Sequence, residues 1–231
     1  MPSPTPQNST GATDEPLLDA RVARADKAVL TMRYRLLGAA QENPAWLKAV
    51  QALEFARAAH LGMTRDDKVT PYIVHPVQVA LYALTLRGSL LYPVETIAAC
   101  LLHDVIEDCH ISYEQLKETF GEQVGRAVLA VSKPRVPQGH TLDKALHFGG
   151  MAECPIASIV KGCDRGNNQG SLSGQTPGRQ MRKVEETEAY VLPMLKTARR
   201  RFPQQELAYE NIKLLLRNQI ELVRAVHAEK V

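Results

Sequence analysis

The chain has 231 residues, 45% of them hydrophobic, enough for one large domain or two small ones with a true core. A net charge of +3 and a pI near 8.7 are too mild to argue nucleic-acid binding by charge. No apolar run approaches a membrane span or a signal core, so neither a membrane nor a nucleic-acid partner is expected.

Residues 1–15 are rich in Pro, Ser, Thr, Gln and Asn and predict a disordered tail; 16–231 then form one domain. Leucines and valines recur at helical spacing over 16–40 until Glu42, Asn43 and Pro44 break the pattern. A helix is expected over about 44–59, with Trp46, Val50 and Leu53 inward, reaching His60 and stopped by Gly62. Residues 61–74 form a polar loop. Pro76 suits a first helical turn, so a helix over about 76–87 leaves His75 just before its start. The stretch 93–108, PVETIAACLLHDVIED, reads as one helix with Ile97, Leu101 and Val105 on an apolar stripe.

Ser112 and Gln115 have capping-box spacing for a helix to Phe120 with Gly121 behind it, and a second helix follows over 122–132. Residues 134–141 read as a loop, 155–161 as a short buried helix, and 166–180 as a mobile Gly/Ser/Gln/Asn-rich loop. Helices over about 180–201 and 204–228 close the chain. Helix follows helix with no alternating strand, and aromatics are only 5%, so the fold class is all-α. Cys100, Cys109, Cys154 and Cys163 form no CxxC pair and sit in apolar segments, which predicts reduced thiols in a cytoplasmic protein.

The far end of the 93–108 helix carries the chemistry. Asp104, Glu107 and Asp108 crowd a last turn whose dipole already favours positive charge, with His103 among them. Acids at that pole call for a cation, most simply a metal; a solvated acidic helix end is the plain alternative, and this stretch alone does not decide. With His75 upstream and Asp164 downstream, the set is two imidazoles and two carboxylates, suited to Mn²⁺, Fe²⁺ or Zn²⁺.

The order H…HD…D resembles that of the HD-domain metal-dependent phosphohydrolases. PYIVHP (71–76), LLHDVIED (101–108), FG (120–121), VSK (131–133) and KGCDRGNN (161–168) are closer still to the hydrolase domain of RelA/SpoT-type alarmone enzymes. The resemblance covers about 45–200. It implies a helical bundle of roughly eight to ten helices, and, with no room for synthetase or regulatory domains, a stand-alone small alarmone hydrolase. It makes His75, His103, Asp104 and Asp164 ligands to Mn²⁺, and Glu107 and Asp108 the catalytic acidic pair. Arg65 corresponds to an arginine that stacks on the base, Asn168 lies near the nucleotide, and Ser171 falls by the ribose or phosphate. Arg182 and the stretch with Glu186, Thr187 and Tyr190 are similar to the family's following helix, and Lys133, Lys161, Arg182 and Lys183 are candidates to hold phosphates.

The implied reaction is hydrolysis of the 3′-pyrophosphate of (p)ppGpp or (p)ppApp, releasing pyrophosphate and the nucleoside 5′-di- or triphosphate. Asp66 stands where the family is basic, in a loop one residue longer, which leaves the choice of base open. Asn167 replaces the family's histidine and Gly166 its leucine. Two other readings stay open: an HD phosphohydrolase of another nucleotide, and a non-catalytic alarmone-binding or antitoxin-like protein. The complete ligand set favours an enzyme. The oligomeric state is open, a homo-oligomer included. Outside this set, His60 reads as helix-end packing, His110, His140, His147 and His227 as surface residues, Cys163 as a packed small residue, and Arg199–Arg201 as a solvated helix end.

Overall fold

Asn43 shows how the local sequence sets the first boundary. Its side chain accepts the amide of Ala45 and opens a 3-10 turn, Pro44–Trp46, between helix α1 (Glu15–Glu42) and α2 (Leu47–Ala59). The computed structural model describes residues 15–172 and 175–228, without the side chains of 15–19. The tail expected over 1–15 thus lies outside the described residues, save Glu15, which begins α1. The remaining helices are α3 (Val74–Thr85), α4 (Pro93–Leu102), α5 (Val105–Asp108), α6 (Tyr113–Phe120), α7 (Glu122–Val131), α8 (Lys144–Ala152), α9 (Pro155–Gly170), α10 (Pro177–Glu186), α11 (Leu192–Arg201) and α12 (Glu206–Ala228). Among the described residues the only extended pairing is a single bridge between Thr64 and Pro71, so the fold is all-α.

Helix α4 is the centre. From Thr96 to Leu102 every residue is buried, and a helix apolar on all sides must be covered on all sides. It packs against α2, α3, α7 and α9, and α3 and α9 also pack on each other. These three mutually packed helices carry His75, His103 and Asp164, so one core places the site. The Ser112 capping box forms as expected, and Gly121 adopts φ +90°, a left-handed turn that lets α6 fold back onto α7 while Phe120 stays buried against Phe55.

Four boundaries differ from expectation. The 93–108 helix breaks: α4 ends at Leu102, His103 is its C-cap, and Asp104 opens the one-turn α5, so the His-Asp pair sits at a bend rather than within a continuous rod. Helix α3 starts two residues before Pro76, placing His75 inside its first turn. Helix α9 runs on through Asp164, Arg165 and Asn168 to Gly170, leaving a far shorter connection than the loop expected over 166–180. The glycines that suggested a loop are instead contact points for α12. A Cβ on Gly162 would stand 2.8 Å from Ile212 Cγ2, and one on Gly166 3.0 Å from Leu215 Cδ2. Finally, the 180–201 helix widens into a π-turn at Thr187–Val191 just before Pro193, which has no N–H to offer the carbonyl four residues back. Helix α8 had no sequence expectation.

Candidate metal centre

The bend between α4 and α5 turns His103 and Asp104 towards the first turn of α3 and the middle of α9. His75 Nε2 and His103 Nε2 lie 3.1 Å apart. Asp104 Oδ2 is 3.0 Å from His103 Nε2 and 3.5 Å from His75 Nε2. Asp164 Oδ1 is 3.3 Å from His75 Nε2 and 3.7 Å from His103 Nε2. His75, His103 and Asp164 form a buried group with ligand atoms close enough for one ion, and Asp104 adjoins both imidazoles.

The hydrogen bonds on the far side of each ring decide what these atoms can do. His103 Nδ1 lies 2.8 Å from the carbonyl oxygen of Cys100, which only accepts, so Nδ1 carries a proton. His75 Nδ1 lies 2.7 Å from Asn167 Oδ1, again an acceptor. In the neutral rings both Nε2 atoms therefore present lone pairs, to each other and to two carboxylates. Four electron-rich atoms converging in a buried place require positive charge. The same demand appears in the acid–base behaviour. Burial alone would depress His103, but the Asp104 and Asp164 carboxylates push it up to about 10. Burial likewise opposes ionisation of Asp104 and Asp164. His103 nonetheless holds Asp104 well below the usual carboxylate range, and Lys161 with the histidines does the same for Asp164. Borderline nitrogen with hard oxygen donors fits a divalent transition ion.

Outer contacts fix the carboxylates. The Tyr72 hydroxyl donates to Asp104 Oδ2 at 2.8 Å, and its pKa is driven up by burial and by the Asp104 charge. Lys161 Nζ donates to Asp164 Oδ2 at 2.9 Å, and Asn168 Nδ2 to Asp164 Oδ1 at 2.5 Å. Lys161, expected among the phosphate-binding residues, is thus paired with Asp164. Arg65 Nη2 donates to Asn168 Oδ1 at 3.4 Å and lies over the Tyr72 ring, bringing Arg65 and Asn168 to one edge of the centre. Glu107 and Asp108 follow on α5. Glu107 is held at both oxygens by Lys133, through its backbone N–H at 2.7 Å and its ammonium at 3.0 Å, while Asp108 is exposed. Ser171 caps α9, donating to the Asn168 carbonyl, and Arg182 lies exposed on α10, with no ion pair among the described residues.

A cavity of about 810 Å³ opens beside Glu107, lined among others by Ile106, His110, Lys133, Arg135, Leu146 and His147. Lys133, Lys161 and Lys183 carry like charges within electrostatic reach of one another. Lys183 is depressed first by burial and by Arg165, and also by the other two lysines. His147, expected to be a plain surface residue, is half-buried on this cavity. His60 is packed at the end of α2, its ring stacked 4.9 Å from Tyr72, and Cys163 is a fully buried thiol. Tyr72, Gln78 and the orienting role of Asn167 had no sequence expectation. The signal for Asn167 was its place three residues after Asp164, as a departure from the resembled motif.

With this geometry in hand, residues 52–145 match the HD domain family. The match covers 94 of the 231 residues. Curated relatives extend the match. The chain is 35% identical over 145 residues to the bifunctional (p)ppGpp synthase/hydrolase SpoT of Escherichia coli, covering 59% of this chain and 20% of that protein. It is 35% identical over 158 residues to the guanosine-3′,5′-bis(diphosphate) 3′-pyrophosphohydrolase of Vibrio cholerae, covering 62% and 21%. A probable GTP pyrophosphokinase of Mycobacterium leprae is 33% identical over 150 residues, covering 62% and 18%. The chain thus spans about a fifth of the length of these relatives. Among solved structures, a metazoan ortholog of SpoT described as hydrolysing ppGpp is similar, with a TM-score of 0.55 and 25% identity, over 71% of this chain and 93% of that one. No helix among the described residues is long and apolar enough to cross a membrane.

Proposed function

We propose that this protein hydrolyses the 3′-pyrophosphate of guanosine or adenosine alarmones, (p)ppGpp or (p)ppApp, in a Mn²⁺-dependent reaction. The observation that carries the reading is the convergence of His75, His103, Asp104 and Asp164 on one buried point, with Glu107 and Asp108 one turn beyond. Those four residues would hold the ion; when bound, it supplies charge to polarise a phosphoryl group and to acidify water. The reaction adds water oxygen to the 3′ phosphorus and breaks the bond from phosphorus to the 3′ oxygen. Pyrophosphate leaves, and the 3′ oxygen takes a proton.

The chain's own groups divide that work. Glu107, fixed by its two bonds to Lys133, orients the attacking water and receives its proton. Asp108, exposed to solvent at the end of α5, relays a proton taken from water to the departing 3′ oxygen. Lys133 offers positive charge to the phosphates from the cavity side, Lys183 offers it from α10, and Arg65 offers a flat guanidinium for the base. Ser171 and Arg182 complete the nucleotide rim in this reading. We take the protein to act in the cytoplasm.

The test is pyrophosphate release from ppGpp and ppApp side by side, with and without Mn²⁺, in the wild type and in Asp104→Asn. Mn²⁺-dependent release that Asp104→Asn abolishes in a folded protein is the expected result. The ratio of the two rates reads the base preference that Asp66 left open. No release from either nucleotide by metal-loaded, folded protein overturns the reading.

A further inference from the structure

Asn167 was notable in the sequence only as a departure, an amide where the resembled motif has a histidine. The structure gives it a specific place. It lies on α9 one turn after Cys163, facing α3, with its two polar atoms engaged in opposite senses. Oδ1 lies 2.7 Å from His75 Nδ1, and Nδ2 donates to Gln78 Oε1 at 2.9 Å. Gln78 is one turn after His75 on α3. The three side chains make a closed chain, Gln78 to Asn167 to His75, linking α3 to α9 beside the centre.

We infer that Asn167 is the positioning residue for the metal centre: with Gln78 setting the sense of its amide, it fixes the ring and tautomer of His75 so that Nε2 presents a lone pair to the ion. The inference rests on the metal-centre reading above and adds to it a residue on which metal affinity depends.

The physical argument is one of donors and acceptors. A neutral imidazole carries one proton, and whichever nitrogen holds it cannot ligate. His103 has its tautomer set by a backbone carbonyl, Cys100 O, which no side-chain substitution removes. His75 has no carbonyl in that role; its Nδ1 partner is the amide oxygen of Asn167. An amide can turn either end to the ring, and only the end with oxygen towards His75 leaves Nε2 bare. Gln78 Oε1, accepting from Nδ2, holds that end in place. Partners of this kind, behind a metal-binding histidine, commonly govern affinity by about 10–100-fold. His75 is 3% exposed, so water does not replace the lost acceptor easily.

The experiment is a calorimetric titration of the full-length protein with Mn²⁺ and, as a diamagnetic second probe, Zn²⁺, with the melting temperature of the metal-free protein recorded for each variant. Asn167→Leu keeps the size and removes the acceptor; the expected result is a Kd for both ions about 10–100-fold weaker, with little change in metal-free melting. Asn167→Asp keeps an acceptor in the same position and is expected to bind at least as tightly as the wild type. Gln78→Leu, at an exposed position with little folding risk, is expected to weaken binding at least about threefold, a small share of the range for such partners.

Asn167→Leu binding within twofold of the wild type overturns the inference. So does equal weakening by Leu and Asp, which would mean that Asn167 acts by packing. If Asn167→Leu does not fold, the Asp and Gln78 arms decide by themselves: weakened binding in Asp, or unchanged binding in Gln78→Leu, overturns it. A wild type that binds neither ion overturns the metal-centre reading itself, an outcome distinct from all of these.

Discussion

Glu186 joins three helices, and its loss should be measurable in both size and pH dependence. Its Oε2 receives Arg165 Nη2 at 2.7 Å and its Oε1 receives Lys144 Nζ at 2.7 Å, so α10 is tied to α9 and α8. Arg165 is 5% exposed and neighbours Asp164. Burial alone would raise the Glu186 carboxyl, but Lys144 and Arg165 bring it from an ordinary 4.5 down to about 2. A difference of that size corresponds to about 3 kcal/mol at neutral pH. Breaking a buried pair by removing one partner gives a similar figure, about 3–5 kcal/mol, because Arg165 would keep a buried charge without its counter-charge. The sign follows from the depressed pKa. The stabilisation is fully present above about pH 4.5 and is lost as the pH falls towards about 2, with about 1.4 kcal/mol left at pH 3. Urea denaturation of the wild type and Glu186→Gln at pH 7 and pH 3 should therefore show a gap of about 3 kcal/mol that more than halves on acidification. At pH 7 the gap equals a melting shift of about 6–12 °C for a chain of this size. A gap below about 1 kcal/mol at pH 7, or one that does not shrink at pH 3, refutes the reasoning.

Further outcomes follow from packing and from the site. Gly149 sits in α8 with nothing within 4 Å of a built Cβ, so Gly149→Ala should stabilise by about 0.5–1 kcal/mol through helix propensity alone. Gly162→Ala should instead destabilise by up to about 2 kcal/mol, because the same propensity gain is outweighed by overpacking against Ile212 and Leu195; calorimetric melting of the two variants side by side checks the opposite signs. Leu101→Ala, at the fully buried centre of α4, should cost about 2–5 kcal/mol in chemical denaturation. Lys133→Met should leave melting nearly unchanged, since an exposed ion pair contributes about 0–1 kcal/mol. It should lower kcat for Mn²⁺-dependent pyrophosphate release, since Glu107 loses the ammonium that fixes its second oxygen; an unchanged kcat would show that the Lys133 backbone N–H holds Glu107 by itself.

The parts of the molecule that were legible in the sequence are those that a single segment decides. The apolar periodicity of 93–102, the Ser112 capping box and the Gly121 turn follow from residues within a few positions of one another, and the structure forms all three. The His-Asp pair was legible as a chemical anomaly, acids at a helix end where the dipole disfavours them. Its consequence for the backbone was not: the bend at His103–Asp104 turns both residues towards ligand atoms on α3 and α9, which lie far away in the sequence. The 162–170 stretch misled for a similar reason. Glycine every fourth residue reads locally as a breaker, yet here α12 approaches so closely that Ile212 and Leu215 occupy the space that side chains would need. The least legible features are those that set atoms rather than segments. Lys133 meets Glu107 across 26 positions, Tyr72 meets Asp104 across 32, and Asn167 meets His75 across 92. No periodicity links such pairs. Yet they hold Glu107, Asp104 and the His75 ring in place, and so bear on what the site can do.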